Sequence, residues 1–241
     1  MKKLLPVLLL GLVQVQAQVG VLDLADPVFL GGTVNDEVGG GGGEPAFVEE
    51  VGRTVHTVST ETSVVTLSSG VASGNTVAVL MSTSLTVSGI TDTAGNTYSE
   101  ALAYTSGSPE LYVWYSVTTS PLSASDTVTV TWTSASYAER AVVAVELSGV
   151  SGVDVSGGAN DYATTSYITQ TTTDATVAVG ISAVNGSTWS TYGGATQIGA
   201  MADQTNDSYF SYEEFASAGS NSHGGTLAAA VTHPYMSVWF K

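Results

Sequence analysis

The chain contains no cysteine, few basic residues and no long hydrophobic run, and each shortage excludes a class of protein. Without cysteine it forms no disulfides, thiolate metal sites or cysteine nucleophiles. Only 5 Lys and Arg stand against 21 Asp and Glu, giving a net charge of −16, so nucleic acid and anionic membranes are poor partners. The longest apolar run, near the N terminus, has about ten residues and is too short to span a bilayer.

The remaining composition predicts an all-β protein. Charged residues make up 11% of the 241 residues and the mean hydropathy is +0.23, the opposite of the balance that produces disorder. Ser, Thr and Val dominate, and β-branched side chains favour strands over helices. The 27 glycines are typical of many tight turns between strands.

The N-terminal segment 1–17 has two interpretations. A basic start, a short apolar stretch and the small-residue pattern Val15-Gln16-Ala17 match a signal peptide. The alternative is a retained hydrophobic anchor that inserts into an assembly partner, because alternating apolar residues between 13 and 21 also suit a strand. The side chains of that anchor would be Leu4, Leu5, Val7, Leu8, Leu9, Leu10, Leu12 and Val13.

Residues 18–52 read as an acidic, glycine-rich linker. The run 39–43 is uninterrupted glycine, and oligoglycine behaves as a flexible coil. The segment would then act as a tether between the N-terminal segment and a folded body. A loop within a single domain is the alternative.

From residue 53 onwards the sequence predicts one strand after another. In 110–118, Leu111, Val113 and Tyr115 share one face while Tyr112 and Trp114 share the other. The run 141–147 is almost continuously apolar, as expected of a strand covered on both sides. Strands separated by regular turn signals indicate a sandwich or barrel. We therefore predict an antiparallel, jelly-roll-like β-sandwich over 53–241, preceded by an extended N-terminal arm.

A family resemblance rests on the order of several turn and strand signatures. This order resembles uncharacterised jelly-roll-like sandwich modules of secreted bacterial proteins and phage structural proteins. The resemblance covers most of 60–241, supplies no catalytic residues, and implies a display, adhesion or virion-structural role. The signatures are 88–98 (SGITDTAGNTY), 111–115 (LYVWY), 126–130 (DTVTV), 145–150 (VELSGV) and 154–156 (DVS).

No catalytic constellation appears, so we expect no enzyme. The histidines His56, His223 and His233 lack metal-ligand spacing, and surface or turn positions are expected for them. No GxSxG elbow is present, and the carboxylates show no recognisable acid–base pairing. Glu146 interrupts an apolar run, and if buried it needs a partner; Arg140 is one of the few basic residues available.

Calcium is the one cofactor that the sequence suggests. The turn-like residues Asp203, Asn206 and Asp207 supply the oxygen ligands that calcium prefers, although no EF-hand spacing is present. Asp92 and Asn96 occupy another such turn. Asp and Asn also populate turns for local hydrogen-bonding reasons, which leaves a purely structural interpretation open.

Tyr112 and Trp114 offer a candidate ligand surface. If their face of the strand is exposed, the two rings form a platform on which a sugar or a partner could stack. The alternative is that both faces of the strand are packed between layers.

Two functions from different classes follow. In the first, the chain is a structural or display protein, specifically a phage virion decoration or fibre protein at a virion surface, with other structural subunits or copies of itself as partners. In the second, it is a secreted bacterial module that binds carbohydrate, such as a cell-surface glycan, or mediates adhesion. Retention of 1–17 in an assembly favours the first, and its removal to give a monomer favours the second.

Overall fold

The computed structural model describes residues 43–136, 138–185, 187–191, 195–202 and 207–241. In this part of the chain all regular structure is β, in three antiparallel sheets. No helix among these residues is long and apolar enough to cross a membrane. The predicted all-β, antiparallel sandwich class is confirmed.

The central sheet has five strands in the order β1-β8-β3-β6-β5. Its middle strands are covered on both faces: every residue of β3 is buried, and so is every residue of β8 except Ser148. The strands are β1 (Ala46–His56), β3 (Thr76–Thr83), β5 (Ser99–Tyr104), β6 (Glu110–Val117) and β8 (Arg140–Ser148).

A three-stranded sheet, in the order β2-β7-β4, covers one face of the central sheet. It alternates cleanly, so that Val128 and Val130 are buried while the intervening threonines reach the surface side. Its inner face packs against Val79, Met81 and Tyr112 of the central sheet. The strands are β2 (Thr62–Thr66), β4 (Val87–Asp92) and β7 (Thr127–Trp132).

A six-stranded sheet covers the opposite face of the central sheet. Its order is β11-β14-β10-β13-β12, with β9 added on β14. Val179, Ile181 and Phe210 pack there against Leu80 and Leu111. The strands are β9 (Val153–Thr172), β10 (Thr176–Val184), β11 (Trp189–Thr191), β12 (Thr196–Ala202), β13 (Asp207–Phe215) and β14 (Gly219–Phe240).

The described body is therefore a three-layer sandwich whose two largest hydrophobic cores lie on opposite faces of the central sheet. Consecutive residues of one central strand belong to different cores, as Leu80 does to one and Met81 to the other. This explains why central strands carry no polar alternation, since neither of their faces meets water.

The long strands β9 and β14 form a ribbon that folds back over the six-stranded sheet. The pairing runs from Gly219↔Thr172 to Phe240↔Val153, with an irregularity between Thr226 and Val231. A Cβ on Gly157 would lie 2.8 Å from Cγ2 of Ile168, a residue of the same strand. The strand thus doubles back on itself, and Ile168 packs against Trp239 on the outer face of the sheet.

The linker predicted for 18–52 extends too far, because β1 begins at Ala46. The Phe47 ring stacks on Tyr212 at 3.9 Å and its backbone N–H donates to Glu214 Oε1 at 2.9 Å. Register shifts between Phe47 and Glu49 and between Glu50 and Gly52 break the alternation that would have identified this strand from sequence. The segment 1–17, the anchor residues in it, and 18–42 lie outside the described residues.

Candidate functional site

The predicted aromatic platform is not available to a ligand, because the structure shows the alternative of core packing. Tyr112 is 1% exposed and belongs to the core beneath the three-stranded sheet, and Trp114 packs against the same core. The Tyr112 hydroxyl donates to Glu110, and burial together with that bond raises its pKa. The alternation was predicted correctly, but both of its faces are covered.

The predicted calcium loop is only partly described. Asp203 and Asn206 lie outside the described residues, while Asp207 opens β13 and pairs with Val184 and Ala202. Within the described ranges, no group of three or more His, Cys, Asp or Glu could hold a metal ion. The calcium site stays a prediction.

In the other predicted turn, Asp92 to Asn96, the carboxylate oxygens of Asp92 accept hydrogen bonds from nearby protein groups. Asp92 Oδ1 accepts from the backbone N–H groups of Ala94 and Asn96, each at 3.0 Å. Its Oδ2 accepts from Asn96 Nδ2 at 2.9 Å and from the Tyr98 hydroxyl at 3.0 Å. Asn96 Oδ1 in turn accepts from the backbone N–H of Ser120 at 3.0 Å. Four hydrogen bonds on one carboxylate support a structural role for this turn.

Glu146 and Arg140 are both buried, at opposite ends of β8, and each has its own polar partners. Glu146 Oε1 accepts from Asn75 Nδ2 at 2.7 Å and from a backbone N–H at 3.1 Å. Arg140 donates to the Ser136 carbonyl at 2.7 Å and its guanidinium lies 5.5 Å from the centroid of the Trp132 ring. Each of the two side chains therefore stabilises the structure around it, and the two do not form a shared site.

Two of the three histidines are buried, contrary to the predicted surface positions. His223 and His233 are 1% and 0% exposed, because the folded-back ribbon covers them. His223 Nδ1 lies 2.8 Å from Ser237 Oγ, and Nε2 lies 3.4 Å from Ser211 Oγ. The His223 imidazole sits directly over Gly180 of β10, where a Cβ would come within 2.5 Å of Cε1.

His233 forms a second buried pair with Ser166. Its Nε2 bonds Ser166 Oγ and its Nδ1 lies 2.9 Å from the Val231 carbonyl oxygen. A serine hydroxyl bonded to a histidine is also the arrangement that activates a serine nucleophile in enzymes. Here, however, the Ser166 side chain is buried, with 1% of the residue exposed. The adjoining cavity of about 10 Å³ has room for roughly one water. These groups therefore bind the ribbon to the sheet and reach no substrate.

One end of the molecule is where the chain enters the sandwich. Gly43 and Glu44 lie against Gly149, whose φ is +67°, and a Cβ there would come within 2.5 Å of their carbonyl oxygens. Lys241 closes the same region, since its carbonyl accepts from the Ser151 N–H at 2.6 Å. A polar cleft of about 610 Å³ opens between these segments. We call this the entry end.

The opposite end carries the bend of the ribbon. From Val153, which pairs with Phe240, β9 runs to Asn160, which pairs with Pro234, a length of roughly 23 Å at about 3.3 Å per residue. A Cβ on Gly107 would lie 2.6 Å from Pro234 Cβ, so the 105–108 loop adjoins this bend. We call residues 105–108, 160–164 and 232 the distal apex.

Tyr162 is the most exposed large aromatic or aliphatic side chain of the described chain, at 74%. It pairs with exposed Thr232 across the ribbon. Beside it, Asp161 Oδ2 accepts from the Tyr235 hydroxyl at 3.2 Å. The sequence contained no signal for this site, because a single tyrosine in a Ser- and Thr-rich strand looks like any other outward residue.

Comparison with known proteins adds no further constraint. No protein-family model matches the sequence, and it matches neither a curated protein nor a solved structure. The function therefore has to follow from the residues and geometry of the chain itself.

Proposed function

We propose that this chain is a non-enzymatic structural and display protein of an extracellular assembly, specifically a phage virion decoration or fibre protein. One observation carries the proposal: the two ends of the body differ. The chain enters at Gly43 and Glu44, next to Lys241, while exposed Tyr162 stands at the opposite end. A body built this way can attach through the residues before its entry end and present its distal apex outward.

The surface between the two ends also supports a role in packing or display. On the outer face of the three-stranded sheet, Thr62 lies beside Thr131 and Thr66 beside Thr127 in register. Their short, neutral side chains can pack against neighbouring subunits without the cost of removing charges from water. The buried Ser166–His233 pair, in contrast, has no access for a substrate.

The absence of cysteine in the sequence allows a direct test of this orientation. Glu44→Cys and Thr164→Cys place one thiol at the entry end and one at the distal apex, both at exposed positions. In particles carrying either variant, we expect a maleimide reagent to modify the thiol at position 164 as fast as in the free chain. The thiol at position 44 should react at least about tenfold more slowly in particles than in the free chain.

Particle association is measured alongside the labelling. We expect the chain to co-sediment with particles from its source and to yield peptides that contain residues 4–13. A free monomer that lacks residues 1–17 would overturn the proposal in favour of a secreted module. Equal labelling at the two ends of a particle-bound chain would overturn the orientation.

A further inference from the structure

We propose that the outer half of the β9–β14 ribbon is a flap that acid releases from the six-stranded sheet, with the His223 imidazole as its proton-sensitive contact. The flap comprises residues 165–172 and 219–226, which pair with each other along their whole length. The inference is independent of the proposed function, since it concerns how the ribbon is held within a single chain.

A break in the strand pairing separates the flap from the rest of the ribbon. Between the pairs Thr165↔Thr226 and Ala163↔Val231, one residue of β9 faces four residues of β14. The β14 side of this break is held in place by β11, which pairs with it at Leu227. The flap can therefore tilt about the break while the inner half of the ribbon keeps its pairing.

The flap buries little apolar surface. Ile168 is its one aliphatic side chain, and it packs in a small cluster with Ala178 and Trp239. The other buried contacts of the flap are mostly polar, as in the bond between Ser166 and His233. Segments with few buried apolar contacts open at a lower free energy than the core does, so the flap is expected to open before the body unfolds.

His223 is the flap side chain that lies over the middle of the sheet. It is 1% exposed, and its Cε1 lies 2.5 Å from where a Cβ on Gly180 would stand. Its Nδ1 lies 2.8 Å from Ser237 Oγ and its Nε2 lies 3.4 Å from Ser211 Oγ. Two hydroxyls suit a neutral imidazole, because one can donate to the ring and the other can accept from it. An imidazolium would instead bring a charge into a space that water does not reach.

The described part of the chain supplies no charged partner for an imidazolium at this position. Both printed bonds of the ring go to serine hydroxyls, and loss of hydration lowers its pKa. Burial also raises the pKa of Glu213, so this carboxyl on the covered face of β13 loses its charge early in an acid titration. The charge of Asp161 acts on His233, at the bend. The titratable side chains that share the covered face or adjoin it are Asp207, Tyr209 and Glu213 of β13, Asp161 of β9, and His233 and Tyr235 of β14, and β10 has none.

The direction of the pH effect follows from these surroundings. Burial lowers the pKa of His223 to about 3 while the flap is closed, whereas a released imidazole takes up its proton near pH 6.5. Protons therefore bind preferentially to the released state, and the closed state is fully stable only above about pH 6.5. Below that value the ratio of released to closed flap should rise by up to about tenfold per pH unit.

The test uses the absence of native cysteine, because Ser182→Cys places a single thiol beneath the flap. Ser182 is 3% exposed and lines the same small cavity as His223 and Ser166. Its labelling by a dithiodipyridine reagent is followed from about pH 7 to about pH 4.5. Each rate is divided by the rate for the same variant unfolded in urea at the same pH, which removes the titration of the thiol itself. We expect this relative rate to increase by about 30- to 100-fold over the range.

The matched control is Ala144→Cys, because Ala144 is 0% exposed and lies in the core between the central and three-stranded sheets. Its thiol becomes accessible when the body as a whole unfolds, so we expect it to react at least about tenfold more slowly than the thiol at position 182 at every pH. In the background of His223→Gln, where an uncharged amide replaces the imidazole, the increase at position 182 should shrink to under about threefold.

Three results would each overturn the proposal. They are a relative rate at position 182 that does not change with pH, an undiminished increase in the His223→Gln background, and equal rates at positions 144 and 182. Equal rates would show that acid unfolds the whole body instead of releasing the flap. Circular dichroism at neutral pH establishes that each variant is folded. If His223→Gln does not fold, the pH profile of Ser182→Cys and its comparison with Ala144→Cys still decide the question.

Discussion

At the scale of single residues, burial keeps His223 neutral. The imidazole is surrounded by Ser237, Ser211 and Trp239 beneath the ribbon, and loss of hydration lowers its pKa to about 3. The pKa of His233 is also lowered by burial, although the Val231 carbonyl and the Asp161 charge oppose the shift. Both rings accept or donate hydrogen bonds without carrying a charge at neutral pH.

This neutrality predicts a loss of stability in acid. The unfolded chain takes up a proton on histidine near pH 6.5, whereas folded His223 does so only near pH 3. The free energy of unfolding is therefore fully retained above pH 6.5 and falls between these two values, by up to about 1.4 kcal/mol per pH unit from this group. His223→Gln should reduce that slope, as measured by urea unfolding at a series of pH values from about 7 to about 4.

The control variant is His56→Gln, which changes a half-exposed histidine whose pKa is lowered by partial burial and by Arg140. We expect the slope to change less in this variant than in His223→Gln. Identical slopes in the parent and in His223→Gln would show that His223 is not held neutral under the ribbon.

At the scale of the element, the bent β9–β14 ribbon determines the outer surface of the six-stranded sheet. The ribbon can approach the sheet closely only because β10 has a glycine where His223 lies. Ile168 and Trp239 complete the contact on the same face. A glycine in a strand interior is unfavourable by itself, and here it makes room for a side chain from another part of the chain.

A methyl group at this position should therefore loosen the ribbon. In Gly180→Ala, the new Cβ would come within 2.5 Å of the His223 ring, and we expect a loss of about 1–3 kcal/mol of unfolding free energy. Hydrogen exchange measured by mass spectrometry should accelerate in 165–172 and 219–226 before the rest of the chain.

Gly89→Ala is the matched control, because it also adds one methyl to a strand glycine and nothing lies within 4 Å of its Cβ. Its effect on stability should stay within about 0.5 kcal/mol. If the two variants behave alike, the ribbon does not pack on β10 in the described way.

At the scale of the whole molecule, the central sheet couples two hydrophobic cores. Leu80 and Met81 are adjacent in β3, both 0% exposed, and face opposite layers. In a two-layer sandwich one of two neighbouring strand residues would meet solvent, so that its truncation would cost little.

Because the central sheet is covered on both faces, truncating either Leu80 or Met81 should lower the free energy of unfolding substantially. Leu80→Ala and Met81→Ala should each lower the free energy of unfolding by about 2–5 kcal/mol. Val64→Ala, at a position that is 41% exposed, should cost under about 1 kcal/mol. Urea unfolding followed by tryptophan fluorescence and by circular dichroism measures all three, and a small effect at either Leu80 or Met81 would contradict the layering.

Local periodicity explains how much of the fold was predictable. The alternation in β6 placed Leu111 and Tyr112 on opposite faces correctly, and the almost continuous apolar run in β8, interrupted by Glu146, indicated a covered strand. The start of β1 was missed because two register shifts and neighbouring glutamates mask its alternation. Local pattern reports which residues share a face but does not report what lies opposite that face.

The candidate site was less accessible to prediction than the fold. Tyr112 and Trp114 looked like a platform, yet Tyr112 is buried under a second sheet and Trp114 packs against the same core, whereas Tyr162 carries no distinguishing pattern and is 74% exposed. His233 and Ser166 are 67 residues apart in sequence, and only the return of the ribbon brings them together.

The sequence by itself determined the all-β class, the antiparallel sandwich and the two faces of regularly alternating strands such as β6 and β7, because β-branched composition and period-two alternation are local properties. The tertiary structure alone decided that there are three layers, that two histidines are buried and that Tyr162 is exposed. Each of these depends on which segments meet after the chain has folded. Burial and exposure arise from contacts between residues far apart in sequence, and a local pattern contains no record of them.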